Sequence, residues 1–116
     1  MEELITVRAK LVGKETASPV SADGTFVKVF DKDVFEDDFL GQAHIDENGQ
    51  ADITFPASAF KSLDSPAEKN PDLYFTVHKY GKLLYKSKVI TDLDLDKVHL
   101  MEPGKGKIID LGVFAI

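Results

Sequence analysis

Hydrophobic and polar residues alternate with period two over most of this chain. Residues 4–12 place Ile5, Val7, Ala9 and Leu11 on one face and Thr6, Arg8 and Lys10 on the other. That pattern is a half-buried β-strand. Residues 13–24 collect Gly13, Ser18, Pro19, Ser21, Asp23 and Gly24, the composition of a loop. A second strand is predicted over 25–31, with Val27 and Val29 inward, and a charged loop over 31–38. A third strand over 39–45 runs into Asp46-Glu47-Asn48-Gly49. Asn-Gly supplies the positive φ of a tight hairpin turn, so strand 39–45 is expected to pair antiparallel with 50–55, whose Ala51, Ile53 and Phe55 share a face.

Residues 56–71 lack strand character. Pro56 suits the first turn of a helix, and 57–63 form about two turns that bury Phe60 and Leu63 before Pro66 and Pro71 end them. Residues 72–78 form the clearest strand, with Leu73, Phe75 and Val77 inward and Tyr74, Thr76 and His78 outward. A turn at Tyr80-Gly81-Lys82 leads into a strand over 83–90 as a second hairpin. A polar connection over 91–107 precedes a closing strand over 107–116. Short strands punctuated by turns predict an all-β fold: a two-sheet antiparallel sandwich of seven to eight strands with one short helix, in one domain over 1–116.

The chain has 116 residues, 43% hydrophobic and 29% charged, so it can bury one core without staples and is neither a disordered tail nor a coiled coil. No apolar run reaches the roughly 18 residues that span a bilayer. There is no cysteine, which excludes disulfides, a thiol nucleophile and a Cys-zinc site. The opening Met1-Glu2-Glu3-Leu4 lacks the basic start of a signal peptide, so the expected location is the cytoplasm, or outside the cell as a mature form without its leader. The net charge of −6 is concentrated: residues 31–47 hold seven acids against Lys32 alone, and the rest of the chain balances. With Arg8 as the single arginine, the basic footprint of nucleic-acid binding is missing. Anionic membranes are disfavoured unless a cation first neutralises the acidic segment.

The run Val27-Lys28-Val29-Phe30-Asp31-Lys32-Asp33, then Asp37-Asp38-Phe39-Leu40-Gly41, the turn at Asp46–Gly49, Pro71-Asp72-Leu73-Tyr74-Phe75-Thr76-Val77 and Ile109-Asp110-Leu111-Gly112 resembles, in that order, the transthyretin-like family. The resemblance covers residues 5–112. It implies a prealbumin-like β-sandwich and a binding or carrier role. Many nematode members of that family are secreted and carry cysteines, which this chain lacks. The transthyretin-related hydrolases end in a Tyr-Arg-Gly-Ser tail, whereas this chain ends Gly112-Val113-Phe114-Ala115-Ile116, so their activity does not carry over. Over a shorter stretch, Asp31-x-Asp33 followed by Asp38-x-Leu40-Gly41 is similar to the third calcium loop of C2 domains. Of the earlier aspartates such a site needs, only Asp23 is present.

The acidic segment is the candidate metal site. Asp31, Asp33 and Asp38 supply three hard oxygen ligands for calcium, with Glu36 or Asp37 and backbone carbonyls completing the shell. The structural alternative is a solvated loop that keeps a strand edge from pairing with other molecules. A second acidic alternation, Asp92-Leu93-Asp94-Leu95-Asp96, reads as the polar face of a short strand. His44, His78 and His99 fall on three separate elements, which argues against zinc. No Gly-x-Ser-x-Gly elbow is present, and Gly104-Lys105-Gly106 lacks the context of a phosphate loop.

Phe26 and Phe30 share the face opposite Val27 and Val29, with Lys28 between them, and Tyr74 lies on the outer face of another strand. If these strands are neighbours, Phe26, Phe30 and Tyr74 form a patch for a protein partner, a weak homodimer or a small apolar ligand. The expected role is therefore a non-enzymatic binding or protein-interaction module with no cofactor. The alternatives are a calcium-dependent C2-like module and a small transthyretin-related hydrolase, the last requiring His44 or His78 to meet Arg8.

Overall fold

Burial follows the period-two pattern over residues 25–31 and 50–56, whereas Thr6, Tyr74 and Thr76 are buried although they lie on outer faces of their strands. The computed structural model describes residues 3–32, 36–59, 72–91 and 100–116. These contain eight strands: β1 (Leu4–Val12), β2 (Thr25–Asp31), β3 (Asp38–His44), β4 (Gln50–Pro56), β5 (Leu73–Lys79), β6 (Lys82–Lys86), β7 (Met101–Glu102) and β8 (Gly106–Ala115). They form two four-stranded sheets, ordered β4-β1-β8-β7 and β3-β2-β5-β6. Between them lies a core built from Ile5, Val7, Leu11, Val27, Val29, Ile53, Phe55, Leu73, Phe75 and Val77. No helix is long and apolar enough to cross a membrane among the described residues.

Four features depart from the sequence pattern. The first is that β1 pairs with β8 in parallel, while every other pair is antiparallel. Side-chain alternation is the same for both pairings and carries no information on direction. Direction is decided where β8 enters: the Thr6 hydroxyl donates to the Lys105 carbonyl at 2.7 Å, and Gly106 packs so close to the Leu4 carbonyl that any side chain would collide with it.

The second departure is at Asn48-Gly49, where the flanking strands do not pair with each other. Strand β3 belongs to one sheet and β4 to the other. The turn itself forms as expected, with Gly49 at φ 77 and the Asp46 carboxylate accepting from the Asn48 and Gln50 amides at 2.8 and 3.0 Å. Its two sides are claimed by different sheets: the Ile45 amide donates to Thr25 of β2, and the Gly49 carbonyl accepts from Leu11 of β1. The two strands instead stack face to face, and Gly41 allows it, because a Cβ there would stand 3.0 Å from Ile53 Cγ2.

The third difference is the helix expected over 57–63, which starts as a single 3-10 turn at Ala57–Ala59; residues 60–63 lie outside the described residues. The last concerns the strand expected over 83–90. It pairs regularly only as β6, after which Ile90 rejoins β5 through paired backbone bonds with Leu73. The hairpin before it is as expected, a two-residue turn with positive φ at both Tyr80 and Gly81.

Phe75 anchors the core. It is fully buried, and its ring lies 4.8 Å from that of Phe114 and 5.9 Å from that of Tyr85, so it ties the two sheets together. Replacing it with alanine is expected to cost about 3–5 kcal/mol of stability in denaturant titration. A loss under about 1 kcal/mol would show that the inward register of β5 is wrong.

Candidate functional site: the outer face of the β3-β2-β5-β6 sheet

Because Val27 and Val29 turn inward, Phe26, Lys28 and Phe30 stand on the outer face of β2, and the register decides what flanks each one. Phe26 lies between His44 of β3 and His78 of β5, Lys28 between Gln42 and Thr76, and Phe30 between Phe39 and Tyr74. A bulge between Val29 and Phe30 brings Phe39 opposite Phe30 while Leu40 turns into the core. A second bulge at Val77/His78 places Leu83 of β6 opposite His78.

The rings form two groups. Phe30 stacks on Tyr74 with centroids 5.1 Å apart and meets Phe39 at 5.6 Å. Phe26 stacks on His78 at 5.2 Å and meets His44 edge-on at 6.0 Å. The Lys28 ammonium stands 5.6 Å from the Phe26 centroid, and that of Lys86 stands 4.9 Å from the Tyr74 centroid. Stacked cross-strand rings spend their faces on each other and turn their edges outward.

Of the three residues expected to form the patch, Phe26 and Phe30 are half-buried and accessible, whereas Tyr74 is only 6% exposed. Tyr74 shares their face but serves as a support: Phe30 covers one side, Lys86 lies over its ring, and its hydroxyl donates to Asp37 Oδ2 at 2.5 Å. The accessible apolar surface comes instead from Phe39 at 54% and Leu83 at 58%. Alternation alone could not reveal either residue, because both reach this face through bulges.

Burial, reinforced by the hydrogen bond and charge of Asp37, pushes the Tyr74 hydroxyl up to about 12. Burial first, then the charge of Lys28, holds His78 below the usual imidazole value. Its Nε2 pairs with the Thr76 hydroxyl at 2.8 Å. Thr76 sits mid-strand between β2 and β6, opposite Lys28 and Lys86. His44 Nδ1 lies 3.3 Å from the Thr25 carbonyl, which can only accept, so that nitrogen carries the proton.

The acidic residues divide between different surroundings. Asp31 closes β2, where the strand over 25–31 was expected to end; it is 3% exposed and faces Asp38 across the β2–β3 pair, which removes it from the solvated loop of the structural alternative. The physical reason is that β2 continues through Asp31, so alternation turns it inward beside Leu73. Asp37 points to the other face, bonded to Tyr74 and paired with Lys32 at 3.4 Å. Asp33, His99 and the 92–96 alternation lie outside the described residues. Among the described residues no three His, Cys, Asp or Glu side chains converge as a metal-binding group.

Arg8 stands on the outer face of the opposite sheet, with the whole core between it and His44 or His78. The constellation that a transthyretin-related hydrolase would need is therefore not assembled. Arg8 instead donates to both Asp52 oxygens at 2.8 and 3.0 Å and to Glu102 at 2.8 Å, while Lys105 completes the cluster at 2.5 Å from Asp52. The Arg8 hydrogen bonds hold the Asp52 carboxyl below the usual carboxylate range against the opposing effect of burial.

Two pH dependences follow. The raised Tyr74 value favours the neutral phenol in the folded state, so its stabilisation is complete below pH about 10 and is lost as pH rises through about 12. Thermal melts of the native chain and Tyr74→Phe should differ in slope across that window; parallel curves would remove the effect. His78 has the opposite sign: its depressed value stabilises the fold above pH about 6.5 and is lost below. His78→Gln should flatten the acid limb of the same melting profile, and an unchanged limb would count against this role.

No family model matches the chain, and no curated protein matches it. Among solved structures, the chain is similar to part of a 9R-lipoxygenase from Cyanothece PCC8801, with a TM-score of 0.56 and 19% identity over 98% of this chain. It spans only 16% of the lipoxygenase chain. At that identity the likeness concerns the β-sandwich fold alone.

Proposed function

We propose that this chain is a non-enzymatic protein-binding module whose contact surface is the outer face of the β3-β2-β5-β6 sheet. One observation carries the reading: ring pairs that bury each other's faces leave a rigid, edge-up platform, flanked by exposed Phe39 and Leu83, with Lys28 between the two ring groups and Lys86 over Tyr74. Rigid aromatic and aliphatic anchors of this kind lose little conformational entropy on binding. The opposite face is dominated by the Arg8–Asp52–Glu102–Lys105 cluster, in which the charges satisfy one another.

Photo-crosslinking tests the reading directly. A benzophenone side chain placed at Phe39 or Leu83 should form protein adducts in cells, and one placed at Val113, equally exposed on the other sheet, should not. Equal yields from both faces would remove the outer face of this sheet as the contact surface.

A further inference from the structure

The sheet that carries this face ends in β3 on one side and β6 on the other, and the chemistry of these two edges is opposite. Among the described residues, no strand pairs with the outer side of β3 or of β6. Residues 36–47, which include β3, hold Glu36, Asp37, Asp38, Asp46 and Glu47 and no lysine or arginine. Residues 82–88, which include β6, hold Lys82, Lys86 and Lys88 and no acid. Each edge also exposes large apolar side chains, Phe39 on one and Leu83 with Leu84 on the other.

We propose that the chain assembles head to tail with further copies of itself, the acidic β3 edge of one copy adding to the lysine-bearing β6 edge of the next. The proposal rests on the binding-module reading, because Phe39 and Leu83 belong to both, and it names a second copy as the occupant of the edges. Strand direction allows the contact. All three pairs in the sheet are antiparallel, so β3 and β6 run in opposite directions. A neighbour in the same orientation therefore presents β6 antiparallel to β3, continuing the pairing already present in the sheet.

Charge selects this arrangement over twofold dimers. Joining β6 to β6 brings lysines together, and joining β3 to β3 brings carboxylates together; like charges across a strand pair repel. Only the unlike edges attract while they bury Phe39, Leu83 and Leu84. Such a contact is heterologous: each added copy leaves one free edge of each kind, so growth does not stop at two unless a ring closes.

Sedimentation velocity at rising protein concentration is the test. At low salt the mean mass should climb past the dimer, and about 1 M salt, where the Debye length falls to about 3 Å, should reverse it. Two charge-reversed chains, Glu36→Lys with Asp38→Lys and Glu47→Lys, which takes residues 36–47 from −5 to +1, and Lys82→Glu with Lys88→Glu, which takes residues 82–88 from +3 to −1, should each remain monomeric on their own. Mixed in equal amounts they should associate again, because each supplies the edge the other lacks, and this recovery also shows that both are folded. Monomer at every concentration of the native chain overturns the proposal. So does a dimer that ignores both salt and charge reversal, or a mixture that stays monomeric. If sedimentation shows only monomer while Phe39 crosslinks to proteins of other masses, self-assembly fails and the binding-module reading stands; adducts at multiples of 12.8 kDa mark the self-contact.

Discussion

In a two-layer sandwich each strand has one face for the core and one that the fold must leave outside. The consequence is sharpest at β2, which is paired on both edges and places Val27 and Val29 in the core. Phe26 and Phe30 are thereby forced onto the outer face, where two large rings would be costly if fully wetted. Neighbouring strands supply the cover: His78 and Tyr74 stack on them, and Phe39 and His44 close the sides. The same stacking that shields these rings also makes them rigid, so protection from water and readiness for contact arise from one arrangement.

The two outer faces solve the problem of exposed side chains differently. On the β4-β1-β8-β7 sheet, Arg8, Asp52, Glu102 and Lys105 form a cluster that crosses from β4 through β1 to β7. Two Arg8 nitrogens meet both Asp52 oxygens, a geometry with more specificity than an ordinary surface pair. That face fastens the strands and keeps its charges occupied. On the other sheet, lysines lie over rings, where an ammonium gains from the aromatic face while its remaining donors stay in water. The asymmetry leaves one outer face with occupied charges and the other with ring edges and exposed apolar side chains.

Edge strands add a further constraint, because unpaired backbone groups invite another strand. Lysines along β6 and acids around β3 each prevent an edge from pairing with its own kind. The same charges leave the unlike pairing open, which is the proposed head-to-tail contact.

The alternation of residues 4–12, 25–31, 50–55 and 72–78 was sufficient to identify the strands, their buried faces and the all-β sandwich, since period two is a local property of the chain. The outward placement of Phe26, Phe30 and Tyr74 was legible for the same reason. Sheet membership was not. Asp46–Gly49 makes the same tight turn whether its flanks pair or part, and only the claims of Thr25 and Leu11 on its two sides sent β3 and β4 to different sheets. The parallel β1–β8 pair likewise depended on contacts at Thr6 and Leu4 from a segment about a hundred residues away. Bulges brought Phe39 and Leu83 to the outer face, and packing by Phe30 and Lys86 buried Tyr74 beneath it. Facing is encoded residue by residue, whereas neighbours are chosen by backbone hydrogen bonds between distant segments, and that choice belongs to the tertiary structure.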